Sequence, residues 1–395
     1  MQILVINSGS SSIKFQVFSM PSAEVKCSGL VERIGLENAV ITYKINGDKH
    51  QKTTDIPNHK VGLELVAGYL LDSEIGVIES KDDIDAVGHR VVHGGSTFAE
   101  TVIIDDAVKD KIKELYSLAP LHNPANLEGI LVAENIFTKA KQIAVFDTAF
   151  HQTMPQKAYK YAIENKFLEE QKIRAYGFHG TSHKYVSEKA REFLGKENSG
   201  KLISIHLGNG CSITAVEDGK SVDHSMGFGP MNGLIMGTRC GDIDPAVVLY
   251  MMNSLGYSLE EATTILQKQS GMVGLTGYSD MRDIESAAAK GDQKCIDALE
   301  MNTYRIKKFI GSYISTLNGV DAIIFTAGIG ENSDYIRGLV CNEMDFFGIK
   351  LNAEENAIRS GEVREIQAAD SKVKVLVVPT DEELEITKQA YALIK

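Results

Sequence analysis

The order of apolar and polar positions near the start of the chain recurs about half a chain later. Residues 3–15 read I-L-V-I-N-S-G-S-S-S-I-K-F, and residues 202–215 read L-I-S-I-H-L-G-N-G-C-S-I-T-A. Each segment is an apolar run, a turn of Gly, Ser and Asn, and a second run, which predicts two strands joined by a tight turn. Gly9 aligns with Gly208 and Ser12 with Ser212, so the pattern predicts an internal duplication.

Two weaker similarities keep the same order and a similar spacing. The run that begins at Asp85, D-A-V-G-H-R-V-V-H-G-G, resembles the run that begins at Asp321, D-A-I-I-F-T-A-G-I-G. Residues 143–147, I-A-V-F-D, resemble residues 375–381, V-L-V-V-P-T-D. Any two α/β domains share apolar strands that end in glycine, which is the alternative explanation. Three similarities in one order favour duplication.

Helical patterns fill the gaps between the predicted strands. Asn123 and Asp244 each precede a proline, which is typical of a helix cap followed by the first helical position. Predicted helices span about 124–138, 182–194 and 245–252, and residues 283–317 are predicted to be helical with few breaks. Strands alternating with helices predict an α/β fold of mixed or parallel sheets flanked by helices.

The length of 395 residues predicts two domains. We place the first at 1–150, joined by the C-terminal helix 383–395, and the second at 151–382. With 8 prolines and no low-complexity stretch there is no obvious flexible linker, so we expect the halves to pack around an interdomain active-site cleft.

Composition narrows the choice of partners. The formal net charge of −12 disfavours binding to nucleic acid or to an anionic membrane surface, although basic residues gathered locally could still hold a small anion. No apolar run is long enough to span a membrane, and the N-terminus lacks the basic start of a signal peptide. Five scattered cysteines without a CxxC pair are typical of a reduced, cytoplasmic protein that has neither disulfides nor a zinc site.

The two repeated turns suit a phosphate chain. The first, residues 7–12, offers backbone N–H groups and hydroxyls and is followed by Lys14. The second, residues 206–210, offers the same backbone donors without a lysine. A plain β-hairpin would explain one such turn, but two turns related by a repeat favour paired phosphate loops.

Three basic or imidazole residues stand in glycine-containing turns: Arg90, His179 and Arg239. Glycine neighbours let a planar guanidinium reach a carboxylate or phosphate with little hindrance. One such arginine is usually a structural ion pair, but three such sites in an acidic protein favour an anion pocket.

Asp147 closes an apolar strand, and a carboxylate at such an end can face a metal-bound phosphate. Glu382 could do the same, or Asp381 and the two acids after it could simply cap a helix, and the local sequence leaves both interpretations open. Asp242 and Asp244 are better interpreted as helix starts.

These segments together resemble the acetate kinase family, within the superfamily of acetate and sugar kinases, Hsp70 and actin. The resemblance covers essentially the whole chain and implies duplicated actin-like (ribonuclease H-like) domains. It is carried by N-S-G-S-S-S-I-K at 7–14, G-H-R-V-V-H-G-G at 88–95, F-D-T-A-F-H at 146–151, Y-G-F-H-G-T-S-H at 176–183, H-L-G-N-G at 206–210, M-G-T-R at 236–239, G-D-I-D-P at 241–245 and G-I-G-E-N at 328–332.

The resemblance also implies roles for individual residues. Asn7 and Glu382 would bind Mg²⁺, Arg90 would hold the acetate carboxylate, and Val92, Leu121, Phe178 and Pro230 would form the methyl pocket. Asp147 would be the acid/base residue, and His179 and Arg239 would stabilise the transition state. ATP would be bound by Lys14, by His206, Leu207, Gly208, Asn209 and Gly210, by Asp280, Met281 and Arg282, and by Gly328, Ile329, Gly330, Glu331 and Asn332.

The implied reaction is reversible, Mg²⁺-dependent transfer of the γ-phosphoryl group of ATP to acetate, which gives acetyl phosphate and ADP. Mn²⁺ is an alternative metal, and the family implies a cytoplasmic homodimer with most nucleotide contacts in the second domain. The chain departs from the expected pattern at Gly229, Asn232, Cys240, Ala327 and Asp381, where Thr, Glu, Ser, Gly and Asn are expected. None of these changes removes a named functional group, but the first two affect the surroundings of Pro230.

Three other classes of protein share part of this pattern. Propionate kinase shares the chemistry with a wider acyl pocket, and Val92 in place of a smaller residue favours acetate. An actin- or Hsp70-like ATPase module is a second alternative. It is disfavoured because Arg90, His179 and Arg239 would have no function there. Sugar kinases share the fold but would need a more polar pocket.

Overall fold

The computed structural model describes all 395 residues, and they form two compact units. The first unit comprises Met1–Phe150 together with Asp381–Lys395, and the second comprises His151–Thr380. Each unit is built around one mixed β-sheet. None of the helices combines the length and the apolar character that crossing a membrane would require.

The strands alternate with helices along the chain, as the sequence patterns predicted. The strands are β1 Gln2–Ser8, β2 Ser12–Ser19, β3 Glu24–Glu32, β4 Val40–Ile45, β5 Asp48–Thr53, β6 Ala86–Val91, β7 Val102–Ile103, β8 Lys141–Phe146, β9 Lys201–Leu207, β10 Cys211–Glu217, β11 Lys220–His224, β12 Ala322–Thr326, β13 Arg364–Glu365 and β14 Lys374–Val377. The α-helices are α1 His59–Leu70, α2 Asp106–Glu114, α3 Asn123–Ile136, α4 Gln156–Tyr159, α5 Asn165–Glu169, α6 Gly180–Leu194, α7 Pro245–Asn253, α8 Leu259–Lys268, α9 Gly271–Thr276, α10 Met281–Ala289, α11 Gln293–Leu317, α12 Ala327–Asn332, α13 Asp334–Cys341, α14 Ala353–Ala357 and α15 Glu382–Ile394.

The two sheets share a five-strand arrangement, which confirms the predicted duplication. The first sheet contains the order β3-β2-β1-β6-β8, and the second contains β11-β10-β9-β12-β14. In both, the first three strands pair antiparallel and the last three pair parallel. The three sequence similarities fall on matching strands: β1–β2 with β9–β10, β6 with β12, and β8 with β14.

The first sheet is covered on both faces, which explains why β1 is a nearly continuous apolar run. Side chains alternate along a strand, so Leu4 and Ile6 pack with α1 while Ile3 and Val5 pack on the other face. Ile386 of the C-terminal helix α15 lies in the same cluster as Val5. The last helix is therefore part of the first unit's core.

Two predicted helix starts were wrong because their side chains serve other backbone groups. Asn123 lies inside α3 rather than at its cap, since its amide group bonds the backbone N–H and C=O of His93 at 3.1 and 3.0 Å. Asp242 starts no helix, because its carboxylate accepts from the N–H of Gly233 at 2.7 Å. The cap at Asp244 is confirmed, with its carboxylate accepting from the N–H of Ala246 at 2.9 Å.

The structure also defines two other helical segments that the sequence predicted. Residues 283–317 are helical with one break, as predicted: α10 and α11 are separated by a turn at Gly291, which has φ +90°. Helix α6 begins at Gly180, two residues before the predicted Ser182, and ends before Gly195 as expected.

Candidate active site

In the first unit, three oxygen-bearing side chains surround the guanidinium of Arg90. Arg90 is the fifth residue of β6, and Asp147 directly follows the neighbouring parallel strand β8. Asp147 accepts hydrogen bonds from Nε of Arg90 at 3.1 Å and from Nη2 at 2.6 Å. Asn7 Oδ1 lies 3.4 Å from Nη1, and Glu382 Oε2 lies 3.8 Å from Nε. Parallel strand ends and the start of α15 therefore bring four predicted site residues together.

The charges in this group are strongly coupled. Burial raises the pKa of Glu382, as does the nearby Asp147 carboxylate, while Arg90 opposes the rise. Burial alone would lower the pKa of Arg90, but Asp147 and Glu382 more than offset this and raise it. Arg90 is therefore the cation that offsets part of the cost of burying the Glu382 carboxylate.

Asn7 and Glu382 fit the Mg²⁺ role that the family implies. Both offer hard oxygen donors, and both lie near the same guanidinium. The structure contains no group of three or more His, Cys, Asp or Glu residues suited to a metal ion. Two ligands suffice for Mg²⁺ when phosphate oxygens and water complete the shell, so the donor set is compatible with a nucleotide-borne metal.

Lys14 lies beside Asn7 in this unit. The two residues are direct partners across the antiparallel β1–β2 pair. The ammonium of Lys14 forms an ion pair with Glu383 at 2.8 Å, and about half of the lysine side chain is exposed. Lys14 can therefore exchange its carboxylate partner for a phosphate.

The predicted methyl-pocket residues differ in their surroundings. Val92 is buried and lies one residue beyond β6, so the alternation of a regular strand does not govern its direction. Leu121 is 52% exposed. In the second unit, Phe178 is buried, and the carbonyl of Pro230 accepts a hydrogen bond from Nη1 of Arg239 at 3.0 Å.

The second unit contains a cavity of about 620 Å³, a size that suits a nucleotide. Residues from all three predicted ATP segments of this unit line it. They include Leu207 at the end of β9 with Gly208 and Asn209 after it, Asp280, Met281 and Arg282 at the start of α10, and Gly328, Ile329 and Asn332 in α12. Met236 and Met272 add apolar surface that the sequence analysis did not select.

The turn after β9 brings His179 and Arg239 together. A side-chain carbon placed on Gly210 would lie 3.2 Å from His179 Nε2 and 3.9 Å from Arg239 Nη1. The imidazole of His179 also stacks on His206 at 4.3 Å between centroids. Gly210 therefore leaves the space that both proposed transition-state residues face.

Sequence reasoning missed Arg337, a buried support of the α12 segment. Its Nη1 donates to the carbonyls of Gly330 and Glu331 at 2.9 and 3.0 Å, and its Nη2 donates to the carbonyl of Asn356 at 2.6 Å. Burial and Arg364 lower the pKa of Arg337 to about 10. No local motif marks this role, since it depends on carbonyls brought close by the fold.

Ala327 is a second feature of this segment. It stands where the family pattern has Gly, and its φ of +64° is in the left-handed region. The segment therefore carries backbone strain that glycine would not.

Comparisons with known proteins place the whole chain in one family. A sequence model described as the acetokinase family matches residues 2–388. An acetate kinase from Flavobacterium johnsoniae is 62% identical over the full length of both chains. The crystal structure of Porphyromonas gingivalis acetate kinase superimposes with a TM-score of 0.94 at 42% identity, covering 100% of both chains. A propionate kinase structure from Francisella tularensis gives 0.93 at 42% identity, covering 98% of both chains. With four-tenths or more of its residues shared with these relatives over nearly its whole length, the chain belongs to the acetokinase family.

Proposed function

We propose that this enzyme catalyses reversible transfer of the γ-phosphoryl group of ATP to acetate, giving acetyl phosphate and ADP. The observation that carries the proposal is the cavity of about 620 Å³, which is lined by three separate segments that the family resemblance assigns to ATP. The 62% identity to an acetate kinase supports acetate as the acceptor.

Arg90 holds the acceptor carboxylate in this proposal. Acetate is ionised at neutral pH because carboxylic acids titrate near pH 4, so the nucleophile needs no general base. Positioning is what the reaction requires. Asp147 accepts hydrogen bonds from Nε and Nη2 of Arg90. In this proposal it therefore positions that guanidinium and does not carry a proton.

The nucleotide occupies the cavity of the second unit, and His179 and Arg239 donate to the equatorial oxygens of the transferring phosphoryl group. Asn7 and Glu382 hold the Mg²⁺ ion, for which Mn²⁺ is an alternative. When bound, the metal neutralises phosphate charge. Lys14 adds a further cation beside Asn7.

Replacement of His179 or Arg239 by Ala tests this assignment. Both changes should lower kcat much more than they alter the KM for ATP, because a lost transition-state donor typically costs about 2.7–4 kcal/mol. A variant in which only KM rises would show that the residue binds ground-state substrate.

We also propose that the chain forms a cytoplasmic homodimer, as the family resemblance implies. Helix α7 is almost wholly apolar, yet none of its residues is buried, and Leu249 and Tyr250 are 60% and 59% exposed. A face of this kind favours contact with a second copy. Sedimentation analysis should find a dimer, and replacing Leu249 with Glu should shift it toward monomer.

The acceptor is tested by trapping acyl phosphates as hydroxamates from a panel of short carboxylic acids with ATP and Mg²⁺. Acetate should give the highest kcat/KM. The panel must include propionate because a propionate kinase matches the fold as well as an acetate kinase does. A higher kcat/KM for propionate would replace the proposal with that alternative.

A further inference from the structure

Five histidines of the second unit form one cluster behind the proposed phosphoryl site. His151 packs on His224 with ring centroids 4.1 Å apart, and His183 meets His224 edge-on at 5.3 Å. His206 lies 6.0 Å from His183 and stacks on His179 at 4.3 Å. Only His179 among them is assigned a catalytic role above, so the purpose of the other rings needs an explanation.

One buried hydroxyl links the cluster to His179. Ser212 Oγ lies 2.9 Å from His179 Nδ1 and 2.7 Å from His183 Nε2. The other nitrogen of His183, Nδ1, lies 2.8 Å from Ser204 Oγ. The result is a chain of hydrogen bonds, Ser204–His183–Ser212–His179, in which Ser204 and Ser212 are fully buried.

The backbone of Phe178 fixes two tautomers elsewhere in the cluster. Its N–H donates to His224 Nε2 at 3.1 Å, so the neutral His224 carries its proton on Nδ1 and donates to Thr214. Its carbonyl accepts from His151 Nε2 at 2.9 Å. Both ring nitrogens of His183 bond to hydroxyl groups, which can either donate or accept. The hydrogen bonds of the Ser204–His183–Ser212–His179 chain can therefore point in either of two directions.

Other imidazoles and a guanidinium lie near His179. They include His183 in α6, which begins directly after His179, His206 on β9, His224 on β11 and Arg239 near Gly210. Burial, with His151 and His206, holds the pKa of His183 well below its usual value, so this ring is neutral. His179 therefore lies among imidazoles, of which His183 is neutral, and near the guanidinium of Arg239.

We propose that the Ser204–His183–Ser212 chain fixes His179 as a neutral imidazole with its proton on Nε2, so that Nε2 donates to the transferring phosphoryl group. In this direction Ser204 donates to His183 Nδ1, His183 Nε2–H donates to Ser212, and Ser212 donates to His179 Nδ1. The opposite direction would place the proton of a neutral His179 on Nδ1 and direct a lone pair at phosphate oxygens. Ser212 and His183 are thus positioning residues, and the inference rests on the proposed role of His179.

Replacing Ser212 with Ala tests the chain, and Thr214→Val is the matched control. Thr214 lies two residues along the same strand, is equally buried, and bonds His224 through the same type of hydroxyl–imidazole contact at 2.6 Å. Ser212→Ala should lower kcat about tenfold or more, with KM for ATP and acetate changed less than about twofold. Thr214→Val should leave kcat within about twofold.

Nitrogen NMR of the enzyme labelled with ¹⁵N-histidine supplies the second measurement, with the His179→Gln spectrum identifying the resonances of His179. We expect a protonated Nε2 and an unprotonated Nδ1 at neutral pH in the wild type. A proton on Nδ1, an imidazolium, or equal losses of kcat in Ser212→Ala and Thr214→Val would overturn the proposal.

The proposed role of His179 can fail separately. If His179→Ala retains full kcat, the transition-state assignment is wrong. If His179→Ala loses activity while Ser212→Ala does not, only the positioning chain is wrong.

Discussion

Replacing Arg90 with Ala should weaken both the fold and the capture of acetate, for reasons that can be worked from its contacts. The guanidinium satisfies Asp147 through Nε and Nη2 and lies within 3.8 Å of Glu382. Asp147 is 1% exposed, so the substitution leaves a carboxylate buried without its cation. Removing one partner of a buried ion pair typically costs about 3–5 kcal/mol.

Two assays measure the two consequences. The chain has no tryptophan, so urea unfolding is best followed by far-UV circular dichroism, and the unfolding free energy should fall by about 3–5 kcal/mol at pH 7. A charge-assisted hydrogen bond contributes about 1.5–3 kcal/mol, so kcat/KM for acetate should fall about 10- to 100-fold. Arg90→Lys is the matched variant, because one ammonium cannot present two edges to two carboxylates. It should recover part of the stability and little of the kcat/KM.

The stability loss should depend on pH with a defined sign. Burial already raises the pKa of Glu382, and removing Arg90 takes away the influence that opposes the rise. The folded variant then binds a proton that the unfolded chain releases, so its unfolding free energy should increase as the pH is lowered from 8 toward 5. The reasoning fails if Arg90→Ala keeps wild-type kcat and KM for acetate, or if its stability deficit grows on acidification.

Three further substitutions test other parts of the site. Glu382→Ala should raise the Mg²⁺ concentration needed for half-maximal activity, and an unchanged metal titration would leave Glu382 as a first-turn helix acid only. Val92→Ala should raise the propionate-to-acetate ratio of kcat/KM, at the low end of the roughly 10- to 200-fold that one methylene can provide, and a constant ratio would place the pocket wall elsewhere. Ala327→Gly should raise the unfolding free energy by up to about 1 kcal/mol, because φ is +64° there, whereas Ala288→Gly within α10 should lower it by about 1 kcal/mol. Equal effects of the two glycine substitutions in urea unfolding would refute the strain argument.

The duplicated strand order could be predicted because the same order of apolar runs and glycine-containing turns occurs in both halves of the chain. Apolar runs with glycine turns survive in both halves since each half must bury a sheet and close a tight turn. The position of the break within 283–317 was not predicted, because propensity alone does not show where a single glycine with positive φ will divide a helical segment.

Side-chain assignments were harder because they depend on which backbone groups the fold brings close. Asn123 was expected at a cap, yet its amide serves His93, 30 residues earlier. Ser212 was visible only as the repeat partner of Ser12.

The contact between Asp147 and Arg90 gives the chemical role of Asp147 a physical basis. An arginine offers two edges to carboxylates, and Asp147 occupies the one formed by Nε and Nη2. The other edge carries one long contact, 3.4 Å from Nη1 to Asn7. A second carboxylate can therefore approach that edge without displacing the first. Since ionised acetate needs no base, we infer that Asp147 contributes by holding Arg90 in the orientation that the acceptor requires.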